Sequence, residues 1–264
     1  MALPTLVAHR GFSAKYPENT LASIEAALTA GGRYIEFDLQ MMADNEFVLM
    51  HDDNLQRASG INKSIFSLTR GTIRNFQADY YAKFSGQFSG IKIPLLEHVL
   101  SLFDQFPQAT AMVDIKEESL DEYGVEKVMK LLLPMLKSIS DRCYLISFNA
   151  EAIDYTKKHS EIKTGFVLHK YNDETRERAE QLQADLLICN YRKLPELNNL
   201  GHLPDNTLWS GEWDWALYEI DQPELAIQYA ENGIRFIETN AIGTMLQHPI
   251  LNHQAIDHSL GDNT

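Results

Sequence analysis

The sequence has little cysteine, few basic residues and no long apolar run. Its 264 residues include only Cys143 and Cys189, which cannot form a disulfide framework and are expected to be buried free thiols. No apolar run approaches the roughly 18 residues that a membrane-spanning helix needs, so we expect no stable membrane association. Acidic residues outnumber basic ones by 37 to 23, and the resulting net charge of −14 argues against nucleic acid as a partner.

The remaining composition is that of a globular protein, with 44% hydrophobic and 23% charged residues. The N-terminus has no basic segment followed by an apolar one, and candidate reactive residues begin at His9. This arrangement predicts a cytoplasmic protein without a targeting sequence. Because no linker or repeat divides the chain, we expect residues 1–264 to form a single domain.

Short apolar runs alternate with amphipathic segments along the chain. The alternation predicts α/β architecture with a parallel sheet, and eight such runs favour a closed (β/α)₈ TIM barrel. The alternative is an open doubly wound sheet, which usually has a glycine-rich loop after its first strand, whereas a single Gly11 occurs here. The predicted strands are Leu6–Ala8, Tyr34–Leu39, Ala111–Ile115, Cys143–Phe148, Thr164–Leu168, Asp185–Cys189, Trp215–Ile220 and Arg235–Thr239.

Two segments add detail to this pattern. Phe47–Met50 follows a turn after the second strand and predicts a hairpin, in a register that places Asp38 opposite His51. Residues 53–90 contain no barrel unit and predict a small helical insertion overhanging the carboxyl ends of the strands. Later in the chain, Asp221 is expected to cap a helix that has Pro223 in its first turn.

Charged side chains converge at the predicted strand ends. Alternate strand residues face the same side, so Glu36 converges with Asp38, and Asp114 with Lys116. Three carboxylates repel one another unless a cation separates them, which favours a Mg²⁺ or Ca²⁺ site over salt-bridged strand-end acids. Arg10 and Lys116 suit a phosphate group beside that ion. His9 and His51 then suit general acid–base catalysis near neutral pH.

These residues also lie in recognisable motifs. His9-Arg10-Gly11, Pro17–Thr20, Glu36-Phe37-Asp38 and His51-Asp52 resemble, in order and spacing, the signature of the glycerophosphodiester phosphodiesterase family. The similarity continues through Ile93–Glu97, Asp114-Ile115-Lys116 and Ser147-Phe148. Without a targeting sequence, the chain most resembles the cytosolic bacterial members.

The resemblance implies a TIM barrel with an inserted subdomain and one divalent metal ion, Mg²⁺ or Ca²⁺. The metal ligands would be Glu36, Asp38 and Asp114; the acid–base pair His9 and His51; and the phosphate contacts Arg10 and Lys116. Phe148 and Tyr218 are further candidate substrate contacts, with Trp209 or Trp213 as alternative aromatic residues. The implied reaction cleaves glycerophosphodiesters, such as glycerophosphocholine or glycerophosphoethanolamine, into sn-glycerol 3-phosphate and an alcohol.

The sequence departs from the family at two motifs. Asp114 stands where the family usually has Glu, and Thr239-Asn240 stands where it has Thr-Asp. Two alternatives to the implied function are a phospholipase-type or lysophospholipase D-type enzyme and an inactive phosphate-ligand binding protein. Attack by a substrate hydroxyl, forming a cyclic phosphate, and direct attack by water are both compatible with the residues. The oligomeric state is not predicted.

Overall fold

The short apolar runs form strands whose order closes a barrel. The computed structural model describes residues 2–252, so residue 1 and residues 253–264 of the expected domain lie outside the described part. Its strands are β1 (Thr5–Ala8), β2 (Tyr34–Met41), β3 (Phe47–Leu49), β4 (Thr110–Ile115), β5 (Cys143–Ser147), β6 (Lys163–Val167), β7 (Leu186–Asn190), β8 (Asp214–Tyr218) and β9 (Phe236–Thr239). All except β3 pair in parallel, and β1 pairs with both β2 and β9. The predicted TIM barrel is therefore confirmed, because an open sheet would leave β1 unpaired on one side.

Helices follow most of the strands and, apart from the three short ones between residues 53 and 90, cover the outside of the barrel. They are α1 (Leu21–Thr29), α2 (Gln56–Ser59), α3 (Arg70–Ile73), α4 (Tyr81–Phe84), α5 (Leu96–Phe103), α6 (Glu117–Tyr123), α7 (Val125–Leu136), α8 (Ala150–His159), α9 (Asp173–Leu182), α10 (Pro223–Glu231) and α11 (Ile242–Met245). Thr20 caps α1 in a reciprocal capping box with Ser23. The cap predicted for α10 is wrong. Gln222 occupies that position, because the Asp221 carboxylate instead accepts hydrogen bonds from Thr239 and Asn240.

The alternation of side chains along each strand separates the core from the site. On β2, Phe37 and Leu39 belong to the large apolar cluster that also contains residues of the surrounding helices. A second set of inward-facing residues fills the barrel interior: Val7, Met112, Ile146, Val167, Leu186, Ile188, Ala216 and Phe236. Polar residues that also face inward but lie further along their strands, such as Asp38 and Asp114, are at the carboxyl end of the barrel.

The hairpin after β2 differs from the predicted register by one residue. Leu39 pairs with Leu49, so Met50 rather than His51 lies opposite Asp38, and the Met50 amide donates to the Asp38 carbonyl at 3.2 Å. Five residues separate the paired strands, and Asn45 among them has a φ of +65°. His51 therefore lies beyond the paired residues of the hairpin, where the alternation of side chains along a strand does not set its direction.

The predicted insertion contains α2, α3 and α4, together with a short 3₁₀ turn at Ile65–Ser67. Its apolar side chains form a cluster separate from the barrel core, and this cluster includes hairpin residues. The members are Met42, Val48, Met50, Leu55, Ala58, Ile65, Leu68, Ile73, Ala78, Tyr80, Ile93 and Leu95. Packing on the hairpin holds the insertion beside the carboxyl end of β2, since the hairpin continues from β2.

Candidate active site

The chain turns sharply immediately after β1. Arg10 has a φ of +55° and Gly11 a φ of +77°. A Cβ atom on Gly11 would lie 2.5 Å from the carbonyl carbon of Ser23, so only glycine fits this close approach. The turn also directs the Arg10 amide to the Glu36 carboxylate, where it donates to Oε2 at 2.8 Å. His9, the last residue before the turn, is thereby placed at the mouth of the barrel.

Three carboxylates meet at the carboxyl ends of β2 and β4. Asp38 and Asp114 are register partners on neighbouring strands, and Glu36 lies two residues before Asp38. One oxygen from each carboxylate lies within 4.8 Å of the others, and all three side chains are buried. Burial, with Asp38 adding repulsion, raises the pKa of Glu36 well above its usual value.

The other two carboxylates differ in how their charge is compensated. Burial raises the pKa of Asp114 in spite of its neighbour Lys116. Burial also acts on Asp38, but Arg10 and Lys116 hold the pKa of that carboxyl well below its usual range. The cations of the site therefore compensate the ionised form of Asp38 but not those of Glu36 and Asp114. Asp114 Oδ1 is buried and has no hydrogen-bond partner among the described residues. Oxygen donors of this kind fit a hard divalent cation, so Glu36, Asp38 and Asp114 could hold one.

Arg10 and Lys116 lie beside these carboxylates. Arg10 Nε is 3.0 Å from Asp38 Oδ2, and its Nη1 donates to Glu18 Oε1 at 2.8 Å. Lys116 Nζ lies 3.3 Å from Asp38 Oδ1 and 3.1 Å from Asp114 Oδ2. Two cations therefore border the acidic cluster, one on each side of Asp38.

The two histidines differ in burial and in hydrogen-bond partner. His9 is buried, with Nδ1 3.0 Å from Asn240 Oδ1 and Nε2 4.0 Å from Glu36 Oε2. Burial, with Arg10 nearby, lowers the pKa of His9 to about 4. The side chain of His51 is 36% exposed, and its Nδ1 lies 2.7 Å from Asp52 Oδ1. Asp52 is held in turn by Arg57, whose Nε donates at 2.8 Å.

All of the residues predicted for the site line one cavity of about 320 Å³: His9, Arg10, Glu36, Asp38, His51, Asp114, Lys116, Phe148 and Tyr218. Lys116 Nζ lies 5.6 Å from the centre of the Phe148 ring, and the Tyr218 ring stacks near His9 at 6.4 Å. The alternative aromatic residues lie elsewhere. Trp209 stacks on Tyr171 at 4.8 Å, and the Trp213 indole donates to the Trp209 carbonyl. Tyr218 is therefore the aromatic residue that β8 contributes to the cavity.

Comparison with protein families gives one match that spans most of the chain. Residues 9–202 match the model of the glycerophosphoryl diester phosphodiesterase family. The chain belongs to this family. The matched range contains every predicted site residue except Tyr218.

Individual members of the family align over about half of the chain. A glycerophosphodiester phosphodiesterase of Bacillus altitudinis is 31% identical over 144 residues, which are 54% of this chain and 58% of that protein. The mouse lysophospholipase D GDPD3 is 31% identical over 127 residues, covering 48% of this chain and 38% of its own. The alignments thus span little more than half of the first relative and less of the second.

Structural similarity extends over nearly the whole barrel. An Oleispira antarctica phosphodiesterase, solved in complex with the product sn-glycerol-3-phosphate, superposes with a TM-score of 0.77. The superposition covers 92% of this chain and 95% of the other at 22% sequence identity, and at that identity it establishes the fold. No helix within residues 2–252 combines the length and apolar character needed to cross a membrane.

Some residues of this family member were missed by the sequence reasoning. Glu238 and Glu219 also line the cavity. Burial, with Asp114 and Asp38 nearby, raises the pKa of Glu238 to about 8, and its Oε1 has no hydrogen-bond partner among the described residues. A signal for Glu238 was present, because it lies two positions after the inward-facing Phe236 on the same strand.

Asn19 lies in the loop before α1, and its side chain contacts a carboxylate of the site. Asn19 Nδ2 donates to Asp38 Oδ2 at 2.7 Å, and its Oδ1 accepts from the Asp38 amide at 3.0 Å. This pair of bonds fixes the orientation of the Asp38 carboxylate. The sequence offered no periodic signal for the contact, since Asn19 lies in a loop.

Proposed function

We propose that the protein is a metal-dependent glycerophosphodiester phosphodiesterase that releases sn-glycerol 3-phosphate and an alcohol from substrates such as glycerophosphocholine. The observation that carries the proposal is the convergence of three carboxylates, two histidines and two cationic side chains on one cavity of about 320 Å³. Family membership supports the reaction class. The product bound to the Oleispira antarctica protein, a structural relative, is the one that this reaction would release.

In this proposal Glu36, Asp38 and Asp114 hold one Mg²⁺ or Ca²⁺ ion. Such an ion would neutralise phosphate charge and acidify a bound hydroxyl. Arg10 and Lys116, which flank Asp38, would contact the phosphate oxygens and orient the diester. Lys116 would leave one of its two carboxylate contacts as the phosphate enters.

The partners of the histidines suggest a division of labour. The lowered pKa of His9 leaves its ring neutral near pH 7, so His9 would accept the proton of the attacking hydroxyl. His51 Nδ1 contacts Asp52, whose carboxylate would hold the ring in place, so His51 would donate a proton to the leaving alcohol. A glycerol hydroxyl adjacent to the phosphoester would attack phosphorus, giving a cyclic phosphate that water opens. Direct attack by water is the alternative route.

Phe148 and Tyr218 would form the wall that contacts the substrate beyond the phosphate. Both rings line the cavity next to charged residues of the site. The lysophospholipase D activity named for the mouse relative is the second candidate, and the substrate panel below separates it from the first. A cytoplasmic location, and an inserted subdomain at residues 53–90 within a single domain, stay predictions.

The test is glycerol 3-phosphate release from glycerophosphocholine and glycerophosphoethanolamine, beside choline release from lysophosphatidylcholine. We expect turnover of the soluble diesters to disappear in chelator and return with Mg²⁺ or Ca²⁺. Glu36→Gln should abolish turnover, whereas Glu151→Gln, on the exposed surface of α8, should leave it unchanged. Undiminished activity in a metal-free preparation would refute the metal requirement. A strong preference for the lysophospholipid would favour the second candidate, and no turnover of any diester would favour a binding protein.

A further inference from the structure

Asn240 and Asp221, which do not line the cavity, form a hydrogen-bonded chain that ends at His9. This series of hydrogen bonds starts at Asp221, which lies two residues before α10 and at the protein surface. Asp221 Oδ2 accepts from Asn240 Nδ2 at 3.2 Å, and Asn240 Oδ1 lies 3.0 Å from His9 Nδ1. The side chain of Asn240 therefore bridges a carboxylate and an imidazole.

The carboxylate decides which way the Asn240 amide points. An ionised Asp221 can only accept hydrogen bonds, and its Oδ1 already accepts from the Asn240 backbone amide at 2.8 Å and from Thr239 Oγ1 at 2.9 Å. The NH₂ group of Asn240 must therefore face Asp221, which leaves the carbonyl oxygen facing His9. Ser13 does not decide the orientation, because its single hydroxyl hydrogen faces both the His9 carbonyl at 2.8 Å and Asn240 Oδ1 at 2.9 Å.

The amide orientation decides which ring nitrogen of His9 carries the proton. Asn240 Oδ1 has no hydrogen to give, so the contact with His9 Nδ1 is a hydrogen bond only if Nδ1 is protonated. A neutral imidazole has one N–H, so its Nε2 then carries a free lone pair. That nitrogen lies 4.0 Å from Glu36 Oε2, on the side of the acidic cluster.

We propose that Asp221, acting through Asn240, fixes the tautomer of His9 so that an unprotonated Nε2 faces the cavity. Asp221 and Asn240 are thus positioning residues for His9. The catalytic consequence rests on the proposed function, in which His9 accepts a proton, but the tautomer itself does not.

The Asp221→Asn substitution offers a direct test, because it turns one acceptor into a donor. The new side chain keeps most bonds if its oxygen stays on the Asn240 backbone amide, and its NH₂ group then faces Asn240 Nδ2. Two donors cannot face each other, so the Asn240 amide should rotate and present NH₂ to His9 Nδ1. The proton of His9 would then move to Nε2. Glu224→Gln, which removes a negative charge from the first turn of α10, is the matched control.

The measurement is ¹⁵N NMR of the imidazole nitrogens in the 264-residue chain near pH 7.5, with the His9 signals identified by their loss in His9→Gln. In the wild type we expect Nδ1 to be protonated and Nε2 to resonate in the unprotonated range. Asp221→Asn should exchange the two assignments, whereas Glu224→Gln should not. A wild-type His9 protonated at Nε2 overturns the proposal, and so does an Asp221→Asn variant with the wild-type pattern.

A second variant keeps the test open if Asp221→Asn does not fold. Asn240→Ala removes the acceptor, so the Nε2–H tautomer should become populated, and a spectrum that stays purely Nδ1–H would overturn the proposal. With glycerophosphocholine, Asp221→Asn should lower kcat by about 10²-fold or more with little change in KM, as expected for a misdirected base. If the wild type turns over no diester, the proposed function fails while the NMR result still decides the tautomer.

Discussion

Glu238 offers a test of how strongly burial opposes charge in this site. The isosteric Glu238→Gln substitution removes an ionisable group without changing side-chain volume. In the folded protein the pKa of Glu238 is about 8, against about 4.3 for an unfolded glutamate. Because the folded-state pKa is raised, the wild type is more stable at low pH, where Glu238 is neutral, than at high pH, where Glu238 is ionised. That stability is lost as the pH rises from about 4.3 to about 8.

The magnitude follows from proton linkage. Ionisation of Glu238 lowers the free energy of unfolding of the wild type by roughly 5 kcal/mol in total. About 4 kcal/mol of this decrease occurs between pH 5 and pH 9. The Gln variant has no such loss. The difference in free energy of unfolding, Gln variant minus wild type, should therefore increase by about 4 kcal/mol between pH 5 and pH 9. In a chain of this length that corresponds to a difference in melting temperature of roughly 10 °C.

The assay is urea and thermal unfolding of both proteins in chelator at pH 5, 7 and 9. Chelator is needed because a divalent ion would compensate the acidic cluster. Glu231→Gln, at the exposed end of α10, is the control and should follow the wild-type curve. Parallel pH profiles for wild type and Glu238→Gln would show that Glu238 is already ionised in the folded protein, and the electrostatic reasoning would be refuted.

Three further predictions concern the proposed chemistry. Asp114→Asn should weaken Mg²⁺ binding at least about 10-fold in calorimetry because a negative ligand is lost, whereas Asp114→Glu should retain binding; equal affinity of the Asn variant would remove Asp114 from the ligands. His9→Ala and His51→Ala should each lower kcat by about 10²–10⁴-fold without unfolding the protein, as circular dichroism would check, and near-normal turnover would reject that residue. Lys116→Ala should weaken binding of sn-glycerol 3-phosphate by about 10-fold or more, and wild-type affinity would place Lys116 outside the phosphate site.

The residues of the site followed from strand periodicity to a considerable extent. The alternation that puts Phe37 outside the barrel puts Glu36 and Asp38 inside it, and the same rule applies to Asp114. Glu238 obeys this rule as well, but the motif noted at the end of β9, Thr239-Asn240, begins one residue after it. The roles of these residues stay predictions, since placement in a cavity does not by itself establish catalysis.

Two local predictions, the register of the hairpin and the cap of α10, were wrong. The hairpin register was wrong because five residues separate β2 from β3, with Asn45 in the left-handed region. The helix cap was wrong because Asp221 has the composition of a cap but accepts hydrogen bonds from Thr239 and Asn240. In both cases the residue type was suited to the predicted role, and the competing contact was not visible in the local sequence.

The sequence by itself determined the strand alternation, the eight strand–helix units and the inward placement of the acidic residues. These properties depend on the burial preferences of residues two or four positions apart, which any single segment displays. Only the tertiary structure decided that β1 closes against β9, and that Asn240 meets His9 across an interval of 231 residues. Barrel closure brings the first and last strands together, and contacts made by closure depend on the whole chain rather than on either segment.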